Sequence, residues 1–128
     1  METIRLTTEV RSHSDLRVYQ QAFDLAMQVF EVTKPFPDRE NDSLTGPFRL
    51  APRLVCNWIA EAWQKRRNRT AFLAAMCEAE SKVVNTQGWI HFAVSCKYLD
   101  PTEGRRLYRE FHTLLSRLQR MAKSGRMG

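Results

Sequence analysis

The chain has 128 residues and a mass of 15.0 kDa, enough for one hydrophobic core that needs no disulfide or metal staple, and too little for two independent domains. Its 43% hydrophobic and 27% charged residues, with five Gly and five Pro, exclude collagen-like and low-complexity chains. The formal charge of +6 is unevenly spread: residues 1–48 carry five basic and eight acidic groups, 49–100 eight and four, 101–128 seven and two.

A basic second half attracts nucleic acid, an anionic membrane or an acidic protein, or simply keeps the chain soluble. No stretch has the length and character of a membrane span, and Met1 to Arg5 lack the order of a signal peptide, so a cytoplasmic protein without membrane attachment is expected. Cys56, Cys77 and Cys96 form no CxxC pair and read as buried thiols. His13, His91 and His112 have no metal-ligand spacing beside them, so neither metal nor cofactor is expected.

Residues 1–14 lack a period and read as a flexible arm. Asp15 then stands where it can cap a helix starting at Leu16. That helix carries two apolar seams. One is Leu16, Tyr19, Phe23, Ala26 and Phe30; the other is Val18, Ala22, Leu25, Val29 and Val32. Together they span about 200° of the helical wheel, wider than one core face requires. Either a thick core within the chain or a second buried surface against a sister subunit accounts for the surplus. Lys34-Pro35-Phe36-Pro37 stops the helix.

Asp38 to Asp42 form a charged loop, and Pro47 and Pro52 complicate the segment after it. The spacing predicts a second helix over 52–66, preceded by an irregular or kinked turn. Glu61 lies among apolar neighbours, where burial and pairing with an arginine would make a structural ion pair. Lys65-Arg66-Arg67-Asn68-Arg69 is a basic turn whose Asn68 can cap a third helix over 69–99. Gly88 inside it weakens it by about 1 kcal/mol and invites close helix approach. Asp100-Pro101-Thr102-Glu103 is a capping box with proline in the first helical turn. The fourth helix sets Leu107, Phe111, Leu114 and Leu118 on one face, and Arg105, Arg106, Arg109, Arg117, Arg120 and Lys123 within about 120° on the other. Ser124 to Gly128 read as a frayed tail. The sum is an all-α, antiparallel up-and-down four-helix bundle over residues 15–123.

No catalytic constellation accompanies this frame. The chain has no phosphate-cradling glycine loop, no GxSxG and no HExxH, and no carboxylate stands three residues before a histidine as di-metal bundles require. Glu78 and Glu80, two residues apart, face different directions. Trp58, Trp63 and Trp89, at helical spacing among aliphatic neighbours, read as core or interface residues.

Several segments in order resemble one bacterial family. Asp15-Leu16-Arg17-Val18-Tyr19-Gln20-Gln21-Ala22 with Thr33-Lys34-Pro35-Phe36-Pro37 is similar to its opening, and Ser43-Leu44-Thr45 to the start of its second helix. Trp58-Ile59-Ala60-Glu61-Ala62-Trp63 resembles an "NIAEGW" motif, with Trp58 for the asparagine and Ala62 for the glycine. Thr86-Gln87-Gly88-Trp89-Ile90-His91-Phe92-Ala93 followed by Tyr98-Leu99 resembles "TQTWLDFA…YL". The family is the four-helix bundles encoded in intervening sequences of large-subunit ribosomal RNA genes, related to the accessory proteins of diversity-generating retroelements. The resemblance implies a homo-oligomeric ring, typically a pentamer, and not an enzyme. From the retroelement branch it implies nucleic-acid binding and, as a candidate protein partner, a reverse transcriptase.

These readings converge on a non-enzymatic homo-oligomeric bundle that binds RNA or DNA through Arg66, Arg67, Arg69, Arg105, Arg106, Arg109, Arg117 and Arg120 by backbone charge rather than base sequence. Val18, Ala22, Leu25, Val29 and Val32 are the expected oligomer interface. The alternative is a protein-interaction scaffold without nucleic-acid binding.

Overall fold

The computed structural model describes residues 12–127, so the expected arm lies almost wholly outside the described residues. Four long helices follow one another: α1 (Arg17–Thr33), α2 (Gly46–Gln64), α3 (Arg69–Ser95) and α4 (Pro101–Ser124). No strand occurs among the described residues. Short turns between α2 and α3 and between α3 and α4 force antiparallel neighbours. α3 packs against both α2 and α4, α1 packs chiefly on α2, and α1 and α4 close the bundle along a thinner seam. This is the expected four-helix bundle.

α1 starts one residue later than the spacing suggests. Leu16 occupies the cap position with extended backbone and no side-chain cap bond, behind a tight turn at His13–Asp15. At its other end Thr33 Oγ1 donates to the Val29 carbonyl (2.8 Å), and Arg49 of α2 donates to Thr33 Oγ1 (2.7 Å) while lying over the Phe30 ring. These bonds seal the helix end before Pro35.

The expected irregular start of the second helix is a π-helical turn at Asn41–Thr45 running straight into α2. Gly46 donates its backbone N–H to the Asn41 carbonyl, and a Cβ on Gly46 would sit 2.6 Å from that oxygen. Pro52 neither breaks α2 nor delays its start to residue 52. It costs the ladder one hydrogen bond, but its ring is buried with Phe48, Ala51 and Val55, so packing holds the helix through it.

Asn68 caps α3, its side chain accepting from Ala71 N (3.1 Å). Asp100 caps α4, accepting from the backbone of Thr102 (3.0 Å) and Glu103 (3.2 Å). The capping box is half made, because the Glu103 carboxylate turns to Arg106 instead of its own helix start. Of the expected frayed tail, residues 124–127 are described. Gly125 adopts a left-handed conformation, donating to the Met121 carbonyl, and Met127 returns to the core.

The core is a column of fully buried side chains drawn from all four helices, among them Leu25, Val29, Phe48, Ile59, Phe72, Met76, Ile90, Phe111 and Leu118. The loop end of the bundle is tied by Tyr98, whose hydroxyl donates to Glu40 Oε2 (2.8 Å), while Ser43 donates to Glu40 Oε1 (2.6 Å). These two bonds hold Glu40 below the usual carboxylate range.

Lys97, between α3 and α4, is the one non-glycine residue with positive φ (65°) among the described residues. A Cβ in that conformation costs about 1 kcal/mol. Lys97→Gly is therefore expected to raise the melting temperature by about 2–6 °C in a thermal denaturation scan.

Candidate functional site

Where the fold places each sequence-expected residue decides what the surface can do. The antiparallel order brings the α2–α3 turn, the start of α1 and the end of α4 to one end of the bundle. Arg66, Arg67 and Arg69 lie there, and Arg69 reaches across to the α4 terminus, its Nη1 only 3.1 Å from where a Cβ on Gly125 would stand. Arg117, Arg120 and Lys123 come down α4 to the same end, joined by Arg17 and Arg126, two cations that sequence reasoning did not single out. Their signal was present only in the topology, since neither falls in a basic run.

Arg105, Arg106 and Arg109 occupy the far half of α4. Arg105 and Arg120 are separated by roughly 22 Å along the helix axis. The eight arginines are thus an end cluster and a separate upper group, not one site.

Their engagements differ as well. Arg106 is a brace rather than a free cation. It pairs with Glu103 and donates to Gln28 Oε1 on α1 (2.8 Å). The Glu103 carboxyl is held below its usual range by Arg106, and the guanidinium is pushed up by the same bond. Arg117 donates to Gln21 Oε1 (2.8 Å), a second tie from α4 to α1. Arg66 donates to the Trp63 carbonyl (2.8 Å) and stacks on that indole, 3.9 Å from its ring. Arg67, Arg69, Arg105, Arg109 and Arg120 have no carboxylate partner among the described residues. All five are exposed. Arg105 alone has a weak tie, to Thr102 Oγ1 at 3.5 Å.

The expected oligomer seam on the first helix is corrected by the structure. Val18, Ala22, Leu25 and Val29 are at most 4% exposed, buried in the chain's own core, and Val32 packs half-buried against it. The other seam is half-covered too, with Tyr19 against His13 and Phe30 under Arg49. Most of the wide apolar arc of α1 is therefore covered within one chain, with Tyr19, Phe23, Ala26 and Phe30 left half-buried.

The surplus lies on α3 instead. Its outward positions Thr70, Ala74, Cys77, Ser81, Val84, Gly88, Phe92 and Ser95 advance by three and four, and none carries a charge. Val84 is 54% and Phe92 62% exposed, with Trp89 beside Phe92 at 6.0 Å. Gly88 does not mark a close approach within the chain: no atom lies within 4 Å of its Cβ position. A helix that is apolar on its inner side and uncharged on its outer side carries no amphipathic signature, which hid this face from periodicity.

Two further expectations are corrected. Glu61 is exposed and pairs with Lys65 (3.7 Å), one turn away on its own helix, rather than with an arginine inside the bundle. Only Cys56 is a buried thiol, pushed up by burial to about 12, whereas Cys77 and Cys96 are exposed. Trp58, Trp63 and Trp89 pack half-buried against the core, as expected. Among the described residues no three His, Cys, Asp or Glu side chains converge as a metal site would need. No helix among them is long and apolar enough to cross a membrane.

With this geometry established, a family model for the 23S rRNA-intervening sequence protein matches residues 14–120. The chain belongs to that family. The match spans α1, α2, α3 and most of α4, so the shared unit is the bundle. Arg126 and Lys123 fall beyond the matched residues, while the α3 outer face and the α2–α3 turn lie inside them. Comparison with curated proteins finds no match.

The thiols offer a direct check on packing. Native protein is expected to release two equivalents of thiol-reactive chromophore, from Cys77 and Cys96. The third is expected only after denaturation exposes Cys56 and returns its thiol to the ordinary range.

Proposed function

We propose that this protein is a non-enzymatic, homo-oligomeric bundle that binds nucleic acid through phosphate contacts. The observation that carries the reading is the set of exposed guanidinium groups without carboxylate partners: Arg67, Arg69 and Arg120 at the end formed by the α2–α3 turn, and Arg105 and Arg109 above them on α4. Unpaired arginines present forked donors that match phosphate oxygens, and each contact releases condensed counterions. Arg106 and Arg117 contribute to this surface through charge, but their hydrogen bonds serve α1 first. Phosphate contacts carry no sequence information, so this mode of binding follows charge and shape.

Self-association is proposed through the uncharged outer face of α3. Val84 and Phe92 supply apolar area that a lone chain leaves in water, and Ala74, Ser81 and Gly88 let another helix come close. The family resemblance makes a closed ring of five the expected assembly, which would multiply the basic ends and raise avidity for a long polyanion. The competing reading uses the same face for a different protein partner, with the arginines serving solubility.

Two measurements test these readings. Gel-shift titration of RNA at low and moderate salt is expected to show affinity falling steeply with salt. The combined Arg67→Ala, Arg69→Ala and Arg120→Ala variant is expected to flatten that slope by about one unit for each phosphate no longer bound. Absence of binding at low salt defeats the nucleic-acid reading. Light scattering is expected to give five times the 15.0 kDa of one chain, with Val84→Asp plus Phe92→Asp returning the single-chain mass. A wild-type mass of one chain defeats self-association and leaves the partner-protein reading.

A further inference from the structure

The upper end of the α3–α4 seam holds a groove of about 350 Å³ of which the phosphate reading uses only Arg105. Its floor is apolar: Ile90 and Val94 from α3, Pro101 and Gly104 from α4. Gly104 is what brings the two helices together, because a Cβ there would collide with Val94 Cγ2. The rim is polar and carries no carboxylate. It consists of His91 on α3 and Arg105 and Tyr108 on α4.

Tyr108 is 46% exposed and, with Phe92 on α3, is one of two phenylalanine or tyrosine rings left largely in solvent among the described residues, whereas the three tryptophans pack half-buried against the core. Its backbone is nonetheless fixed, the buried Gln87 donating Nε2 to the Tyr108 carbonyl at 3.4 Å. The exposed ring therefore stands on a rigid helix. Arg105 and Arg109 flank it within one helical turn on either side, free of carboxylates. Glu103 and Glu110 lie round the wheel toward α1, where Glu103 pairs with Arg106 and the Glu110 charge also acts on Arg106.

An apolar trough, an exposed aromatic ring at its edge and two guanidinium groups without carboxylate partners beside it form a stacking platform within a cationic track. From this geometry we infer that the groove at Tyr108 receives an unpaired base, and so that the nucleic acid bound by this protein is single-stranded. A duplex offers phosphates to Arg105 and Arg109 but keeps its base faces stacked inside, beyond reach of a side chain on a helix surface. The inference rests on the nucleic-acid reading above and specifies its ligand.

The test compares a fluorescein-labelled oligouridylate with an RNA duplex of the same length, by fluorescence anisotropy at low salt, for the wild type, Tyr108→Ala and Tyr108→Phe. Wild type is expected to prefer the single strand. Tyr108→Ala is expected to weaken single-strand binding roughly tenfold while leaving duplex binding unchanged, and Tyr108→Phe to retain wild-type affinity, since stacking requires the ring and not the hydroxyl. The exposed ring can be removed without opening the core, and matching circular-dichroism melts confirm it. Equal loss of both ligands, no loss of either, or a wild-type preference for duplex overturns the single-strand inference while the phosphate reading stands. Failure of the wild type to bind either probe overturns both.

Discussion

The structure depends on α3 being sandwiched between α2 and α4. This 27-residue helix packs along both of them, and its inner side supplies Phe72, Met76, Val83 and Ile90 to the centre of the core. Burial of such side chains stabilises by roughly 1.5–3 kcal/mol each, so α3 carries a large share of the folding free energy. Its ends also fix the connections. Asn68 caps one end, and at the other Tyr98 N and Leu99 N both donate to the Ala93 carbonyl, which turns the chain sharply into the Asp100 cap of α4.

That arrangement explains where charge and apolar surface end up. A short α2–α3 turn has no room to bury anything, so Arg66, Arg67 and Arg69 project into solvent. The α4 terminus must lie beside that turn because α4 runs antiparallel to α3, and it carries Arg120 and Lys123 to the same end. Acidic residues concentrate elsewhere. Asp24, Glu31 and Glu103 line a groove between α1 and α4 together with Arg106, and Glu40 is consumed in the Tyr98 clasp. The polarity of the molecule thus follows from chain topology rather than from any one motif. Sandwiching α3 also leaves its outer side as a long face with neither a covering helix nor charge, which is why the self-association reading moves there from α1.

The bundle was legible in the sequence because its signals are local. Apolar positions recur at three and four, Pro35 stops α1, Asn68 caps α3, and Asp100-Pro101 starts α4. Pro52 is not legible as a helix residue because proline type signals a break and says nothing of packing, whereas seven buried residues along α2 outweigh one missing hydrogen bond. The cysteines misled for a related reason. A small apolar residue reads as buried by type, yet Cys77 lies on the uncharged outward arc of α3 and Cys96 just past its end, and type does not reveal the direction of a side chain.

For the candidate site, the sequence by itself determined the inventory: the basic turn, the arginine stripe of α4, and the absence of a catalytic or metal-binding pattern. Which arginines remain free was decided only by the tertiary structure. Arg106 and Arg117 are engaged by Gln28 and Gln21, residues 78 and 96 positions away in the chain. The same holds for the groove at Tyr108, whose two walls meet because Gly104 lies against Val94. Helix-forming tendency acts over three or four residues and can be read along a chain. Charge compensation and surface concavity arise between residues that only packing brings together.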